Sequence, residues 1–93
     1  MKYYVYIIIA DKKNNLVSYV GYTKNLNERI KKHNTSKGAK FTKGKYWKLA
    51  YFKVYNSKSK AMSEEYKLKK NIKFRNKVKY DFKKNENFNT FTL

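Results

Sequence analysis

Eight residues near the N-terminus, Tyr3 to Ala10 (YYVYIIIA), constrain the fold most. β-Branched and aromatic residues fill the run, which marks it as a strand. Apolar side chains fall on both of its faces, so it has to be a central strand. The polar cluster at 11–15 (DKKNN) is a turn, and residues 16–22 (LVSYVGY) return as the second strand of a hairpin. Gly21, near the end of that strand, suits a bulge or a close backbone approach.

The stretch Tyr19 to Asn34 passes from this strand into a short amphipathic helix. Asn25 is a good N-cap, with Glu28 three residues on at the capping-box position. Leu26, Ile30 and His33 then share one face, with Arg29 on its flank. Residues 34–36 end the helix, and 37–46 form a Gly-punctuated basic loop. Residues 48–55 (KLAYFKVY) read as a third strand and roughly 60–71 as a second helix, with an N-cap offered by SKSK at 57–60. Residues 72–80 continue as a third, basic helix, and 81–93 read as a loose polar tail. One domain over 1–80 with a tail at 81–93 is the expected organisation.

Charge narrows the partner. The 93 residues hold 24 basic and 6 acidic side chains, a formal +18, which points to a polyanion and above all to nucleic acid. No apolar run reaches about 18 residues, so no membrane span or membrane partner is expected. The apolar N-terminal run lacks a small-residue cleavage site and does not read as a signal peptide. The absence of cysteine excludes a disulfide scaffold and a thiolate zinc site, and it fits a reducing, cytoplasmic setting.

Only two of the basic residues are arginine, Arg29 and Arg75, and arginine supplies the planar fork that grips a phosphate. Any carboxylate ligand has to come from Asp11, Glu28, Glu64, Glu65, Asp81 or Glu86. On a helical projection Ala61, Leu68 and Ile72 lie together, Met62 and Tyr66 extend the arc, and Glu65 falls inside it. An inward carboxylate needs a partner: either a metal ion or Lys69 at i+4. Glu64 falls outside the arc as a solvated helix charge. Tyr6 and Tyr19 share a sheet face if the register between them is direct or offset by an even number.

The series Tyr4-Val5-Tyr6, Tyr19-Val20-Gly21, Tyr22-Thr23, Asn25-Leu26, Arg29, His33-Asn34, Gly38 to Thr42 and Ser59 to Lys70 resembles the GIY-YIG nuclease superfamily over about residues 3–72. It looks most like the small stand-alone bacterial branch, similar to the catalytic half of the eukaryotic branched-DNA endonuclease. The first motif departs from the pattern in reading YVY, and KYWKL at 45–49 stands where a proline is usual. Pattern and resemblance together give an α/β fold: a three-stranded antiparallel sheet flanked by helices, in the order ββαβα(α).

The resemblance implies a DNA endonuclease acting by water attack with one divalent ion, Mg²⁺ or Mn²⁺, held by Glu65. Arg29 would neutralise the scissile phosphate. Tyr6 would activate or orient the water, with Tyr19 and His33 as hydrogen-bond partners and His33 as the rival base. Gly21, Tyr22, Thr23, Lys40, Phe41, Lys43 and Lys45 would contact nucleic acid, the last four as a lip that tracks the backbone and stacks bases. The competing reading is a non-catalytic nucleic-acid-binding module. The set Tyr6, Arg29 and Glu65 separates the two, since an inward Glu repels phosphate.

Overall fold

The computed structural model describes residues 1–13 and 15–92, with side chains through residue 84. Its elements are β1 (Tyr3–Lys12), β2 (Asn15–Thr23), α1 (Leu26–Asn34), a 3₁₀ turn (Lys40–Thr42), β3 (Lys48–Tyr55), α2 (Lys58–Lys70) and α3 (Ile72–Thr92). The sheet is antiparallel in the order β2-β1-β3. The central position expected for the first strand is the observed one, and the element order is ββαβαα.

Residues Val5 to Ala10 are each under 5% exposed. Six consecutive buried residues require cover on both faces, and two clusters supply it. Tyr6, Ile8, Ala10 and Trp47 pack with Tyr19 and with Leu26 and Ile30 of α1. Ile7, Ile9 and Val20 pack with Leu68 of α2 and with Phe74, Val78 and Phe82 of α3. The sheet is therefore the middle layer between α1 on one side and α2 with α3 on the other.

Local chemistry sets the helix ends. Asn25 Oδ1 accepts the Glu28 amide at 3.1 Å, and Ser57 Oγ accepts the Lys60 amide at 3.0 Å. Asn71 divides α2 from α3, its Oδ1 accepting the Phe74 amide at 3.1 Å.

Several expectations need correction. The second strand has no bulge at Gly21; it pairs regularly through Tyr4↔Thr23. The irregularity lies instead between β1 and β3, where Ile7 pairs with Tyr51 and Ile8 with Leu49, leaving Ala50 as the extra residue of a bulge. The segment from Asp81, read as a loose tail, continues α3. Phe74, Val78 and Phe82 recur every four residues, and the last extends the stripe that covers the sheet. Side chains of 85–93, Glu86 among them, lie outside the described residues. Met62, Tyr66 and Ile72 are exposed, because the covered stripe of α2 is centred on Ala61 and Leu68. Glu64 is half-buried rather than solvated, with Lys60 at 3.1 Å and Lys67 at 3.7 Å.

Arg75 does not offer its fork to a ligand. Nε and Nη2 donate to Ser18 Oγ at 3.1 and 2.9 Å, Nη2 donates to the Ser18 carbonyl at 3.0 Å, and Nη1 donates to the Lys69 carbonyl at 3.0 Å. One guanidinium thus ties α3 to β2 and to the end of α2. Arg75→Ala leaves the part-buried Ser18 acceptors unpaired and should lower unfolding stability by about 1–3 kcal/mol. A denaturant midpoint equal to wild type would contradict that tie.

Candidate active site

The site is built on the register of the hairpin. Tyr6 pairs with Gly21 and Ile8 with Tyr19, so Tyr6 and Tyr19 are offset by two and share the face under α1. A Cβ on Gly21 would come within 2.4 Å of Tyr6 Oη and 2.7 Å of Cζ. Glycine at 21 is thus the space into which the hydroxyl end of Tyr6 fits, which is the close approach expected of it.

Helix α1 brings two side chains to that hydroxyl. His33, fully buried, places Nε2 2.9 Å from Tyr6 Oη. Arg29, one turn earlier, donates from Nε to the same oxygen at 3.4 Å. The other ring nitrogen, His33 Nδ1, lies 2.9 Å from Thr42 Oγ1, and Thr42 Oγ1 donates to the Ala39 carbonyl at 2.7 Å.

These contacts fix the direction of every proton. Thr42 directs its hydroxyl hydrogen to the Ala39 carbonyl, so it accepts from His33, and Nδ1 carries the imidazole hydrogen. Nε2 is then an acceptor and receives the hydrogen bond of the Tyr6 hydroxyl. The other end gives the same answer: Arg29 can only donate, so the buried Tyr6 hydroxyl has to donate to His33. The chain runs Arg29 to Tyr6 to His33 to Thr42 to Ala39.

Burial raises the Tyr6 hydroxyl to about 12, against the lowering effect of the hydrogen bond and charge of Arg29; Tyr19 and the Glu65 charge add to the rise. Arg29 therefore does not turn Tyr6 into a phenolate in the free protein. Burial, then the Arg29 charge, lower His33 to about 4. His33 is neutral at pH 7, as an acceptor requires, and both its nitrogens are engaged.

The remaining expected residues divide. Tyr19 sets its ring against the edge of His33, with centroids 5.2 Å apart, and stacks on Phe41 at 6.2 Å. Its contact with the imidazole is packing rather than a hydrogen bond. Glu65 is 17% exposed, and its Oε1 meets Lys69 Nζ at 3.5 Å, the i,i+4 pair the sequence allowed. Lys69 is half-exposed, and such pairs hold by about 0–1 kcal/mol. No cluster of three metal-ligating side chains occurs among the described residues. Glu65 would be the carboxylate for an ion that keeps most of its waters, a donor set that fits Mg²⁺.

Thr23, Lys24, Asn25, Glu28, Arg29 and Lys32 line a cavity of about 270 Å³ beside the guanidinium. Tyr22 pairs with Val5 and so stands on the opposite sheet face from Tyr6. Lys40 and Lys43 are exposed at the 3₁₀ turn. Phe41 is stacked on Tyr19, and Lys45 Nζ lies 5.0 Å from its centroid. Thr42 and Gly38 were not expected as site residues. A Cβ on Gly38 would lie 2.4 Å from His33 Nδ1, so this glycine admits the imidazole. Their signal was the run GAKFT shortly after His33.

The GIY-YIG catalytic-domain model matches residues 2–81. The chain belongs to the GIY-YIG family, a nuclease-type family. Among relatives of this GIY-YIG protein, a UPF0213 protein of Oceanobacillus iheyensis is 37% identical over 91% of this chain and 96% of its own length. A UPF0213 protein of Staphylococcus haemolyticus is 48% identical over 73% of this chain and 80% of its own. A solution structure of a UPF0213 protein from Bacillus halodurans shares 36% identity, covering 89% of this chain and 86% of that one, with a TM-score of 0.46. Among the described residues of the GIY-YIG chain, no helix is long and apolar enough to cross a membrane.

His33 is the one histidine, so its ring signals are unambiguous. Imidazole ¹⁵N NMR should show a neutral ring with hydrogen on Nδ1 at pH 7 and titration near pH 4. The folded value lies below the unfolded 6.5, so the unfolded chain binds the proton first. This group's contribution to stability is full above pH 6.5 and is lost as pH falls from 6.5 toward 4. Titration near 6.5, or an Nε2–H ring, would contradict the chain of contacts.

Proposed function

We propose that this protein is a divalent-metal-dependent DNA endonuclease that hydrolyses a phosphodiester bond by water attack. The observation that carries the reading is the Tyr6 hydroxyl, held between a proton acceptor, His33 Nε2, and a guanidinium, Arg29. Glu65 lies close enough to act on that hydroxyl electrostatically. Family membership supports nucleic acid as the substrate, and the +18 charge supports a polyanion.

The residues divide the work as follows. Arg29 neutralises charge on the scissile phosphate, entering from the cavity it lines. Tyr6 orients the attacking water and takes its proton while passing its own to His33 Nε2. The water oxygen bonds to phosphorus as the bond to the leaving oxygen breaks. His33 keeps its Nδ1–H on Thr42 throughout and becomes transiently cationic. An arriving phosphate offsets the Arg29 charge that, after burial, depresses His33. This relay makes Tyr6 and His33 one proton-accepting unit rather than rivals. Glu65 would hold Mg²⁺ or Mn²⁺, which supplies Lewis-acid stabilisation of the leaving oxygen. Lys40 and Lys43 supply further charge for the DNA backbone.

The test is incubation with Mg²⁺ and labelled single-stranded, duplex, flap and junction DNA. Glu65→Ala should abolish cleavage while retaining DNA in a gel shift. Arg29→Lys should lose most activity, because the planar fork is gone while the charge remains. Wild-type cleavage by Glu65→Ala would remove its metal role, and DNA retention without cleavage of any substrate would leave a binding module.

A further inference from the structure

The face of the sheet that carries Tyr6 is covered by α1 only over β1 and β2. On β3 the same face presents Phe52, Leu49 and Val54, which are 49%, 36% and 39% exposed. Phe52 is the direct β3 partner of Tyr6, and Val54 is the partner of Tyr4. Leu49 and Phe52 are three residues apart and would face opposite ways in a regular strand. The bulge at Ala50 reverses that parity and places Leu49 opposite Ile8, on the Tyr6 face. An uncovered sheet face ordinarily carries polar side chains. Here the bulge adds an apolar one.

These residues form a groove. Tyr4, Lys24, Leu26, Leu49 and Phe52 are among the lining of a volume of about 510 Å³, within the range of small-molecule sites. The Tyr4 and Phe52 rings are tilted at 58° with centroids 6.0 Å apart, an aromatic corner open to solvent. Lys24 and Asn25 line both this groove and the cavity beside Arg29. The two depressions are therefore adjacent, with the start of α1 between them.

We infer that the Tyr4–Phe52–Leu49 groove is a stacking subsite for one unpaired nucleobase of the DNA strand whose phosphate lies at Arg29. The inference rests on the proposed nuclease reading for its ligand, and it commits the substrate to a strand that is unpaired beside the scissile bond. Aromatic faces bind any base, and Lys24 at the shared wall matches the connecting phosphate. The alternative occupant, a second copy of the chain adding to the β3 edge, meets Lys48 and Lys53 on that strand, a feature that blunts edge pairing. It also meets a like net charge of +18.

Binding without cleavage tests this, in chelator with no divalent ion. Phe52→Trp keeps a stacking ring and adds an exposed reporter, the native Trp47 being buried. A single-stranded oligodeoxynucleotide should quench the new emission, and an abasic oligomer of equal length should not. Phe52→Ala should weaken single-strand affinity about tenfold by fluorescence anisotropy, leave duplex affinity unchanged, and be rescued by Phe52→Tyr. Wild-type affinity in Phe52→Ala, equal quenching by the abasic oligomer, or quenching by protein concentration alone would overturn the subsite. Base-dependent quenching in a protein that cleaves nothing would uphold the subsite and overturn the nuclease reading alone.

Discussion

The Tyr6 hydroxyl is the group on which the arrangement depends. It is buried, so its hydroxyl hydrogen has to find an acceptor in the protein. Gly21 provides the space, His33 the acceptor and Arg29 the donor. Each requirement reaches into a different element. The glycine fixes the β1–β2 register at this point, because a shift of one residue would bring Val20 or Tyr22 against the ring. The histidine fixes the rotation of α1 over the sheet. Thr42 and Gly38 then fix the loop that follows α1, and Trp47 secures it by donating Nε1–H to the Thr42 carbonyl at 2.9 Å.

That dependence explains how a site with so few ionic groups leaves no buried side-chain polar atom unpaired among the described residues. One charged side chain, Arg29, touches the tyrosine. The rest is neutral hydrogen bonding inside an aromatic shell of Tyr19, Phe41 and Trp47. Phe41, read as a base-stacking lip, is stacked on Tyr19 as the outer wall of this shell and is 48% exposed.

Much of the fold was legible because it rests on local chemistry. The all-apolar run at Tyr3–Ala10 can only be central, and it is. Asn25 and Ser57 cap as their side chains dictate. The shared face of Tyr6 and Tyr19 follows from parity once the register is known. What was not legible depends on tertiary partners. Arg75 looked like a phosphate fork, and only the approach of Ser18 and the Lys69 carbonyl makes it structural. Phe82 looked like part of a polar tail, since its stripe partners sit four and eight residues back across a change of composition. Thr42 and Gly38 carry no charge and no periodicity, and the run GAKFT that marks them does not by itself reveal their contact with His33. The bulge at Ala50 left no signature in KLAYFKVY.

The central claim is that the Tyr6 oxygen does chemistry rather than packing. Tyr6→Phe keeps the ring and removes the oxygen alone. Measured as single-turnover cleavage of bound DNA with Mg²⁺, this variant should be slower than wild type by about 100-fold or more at unchanged DNA affinity. Cleavage at the wild-type rate would contradict the account.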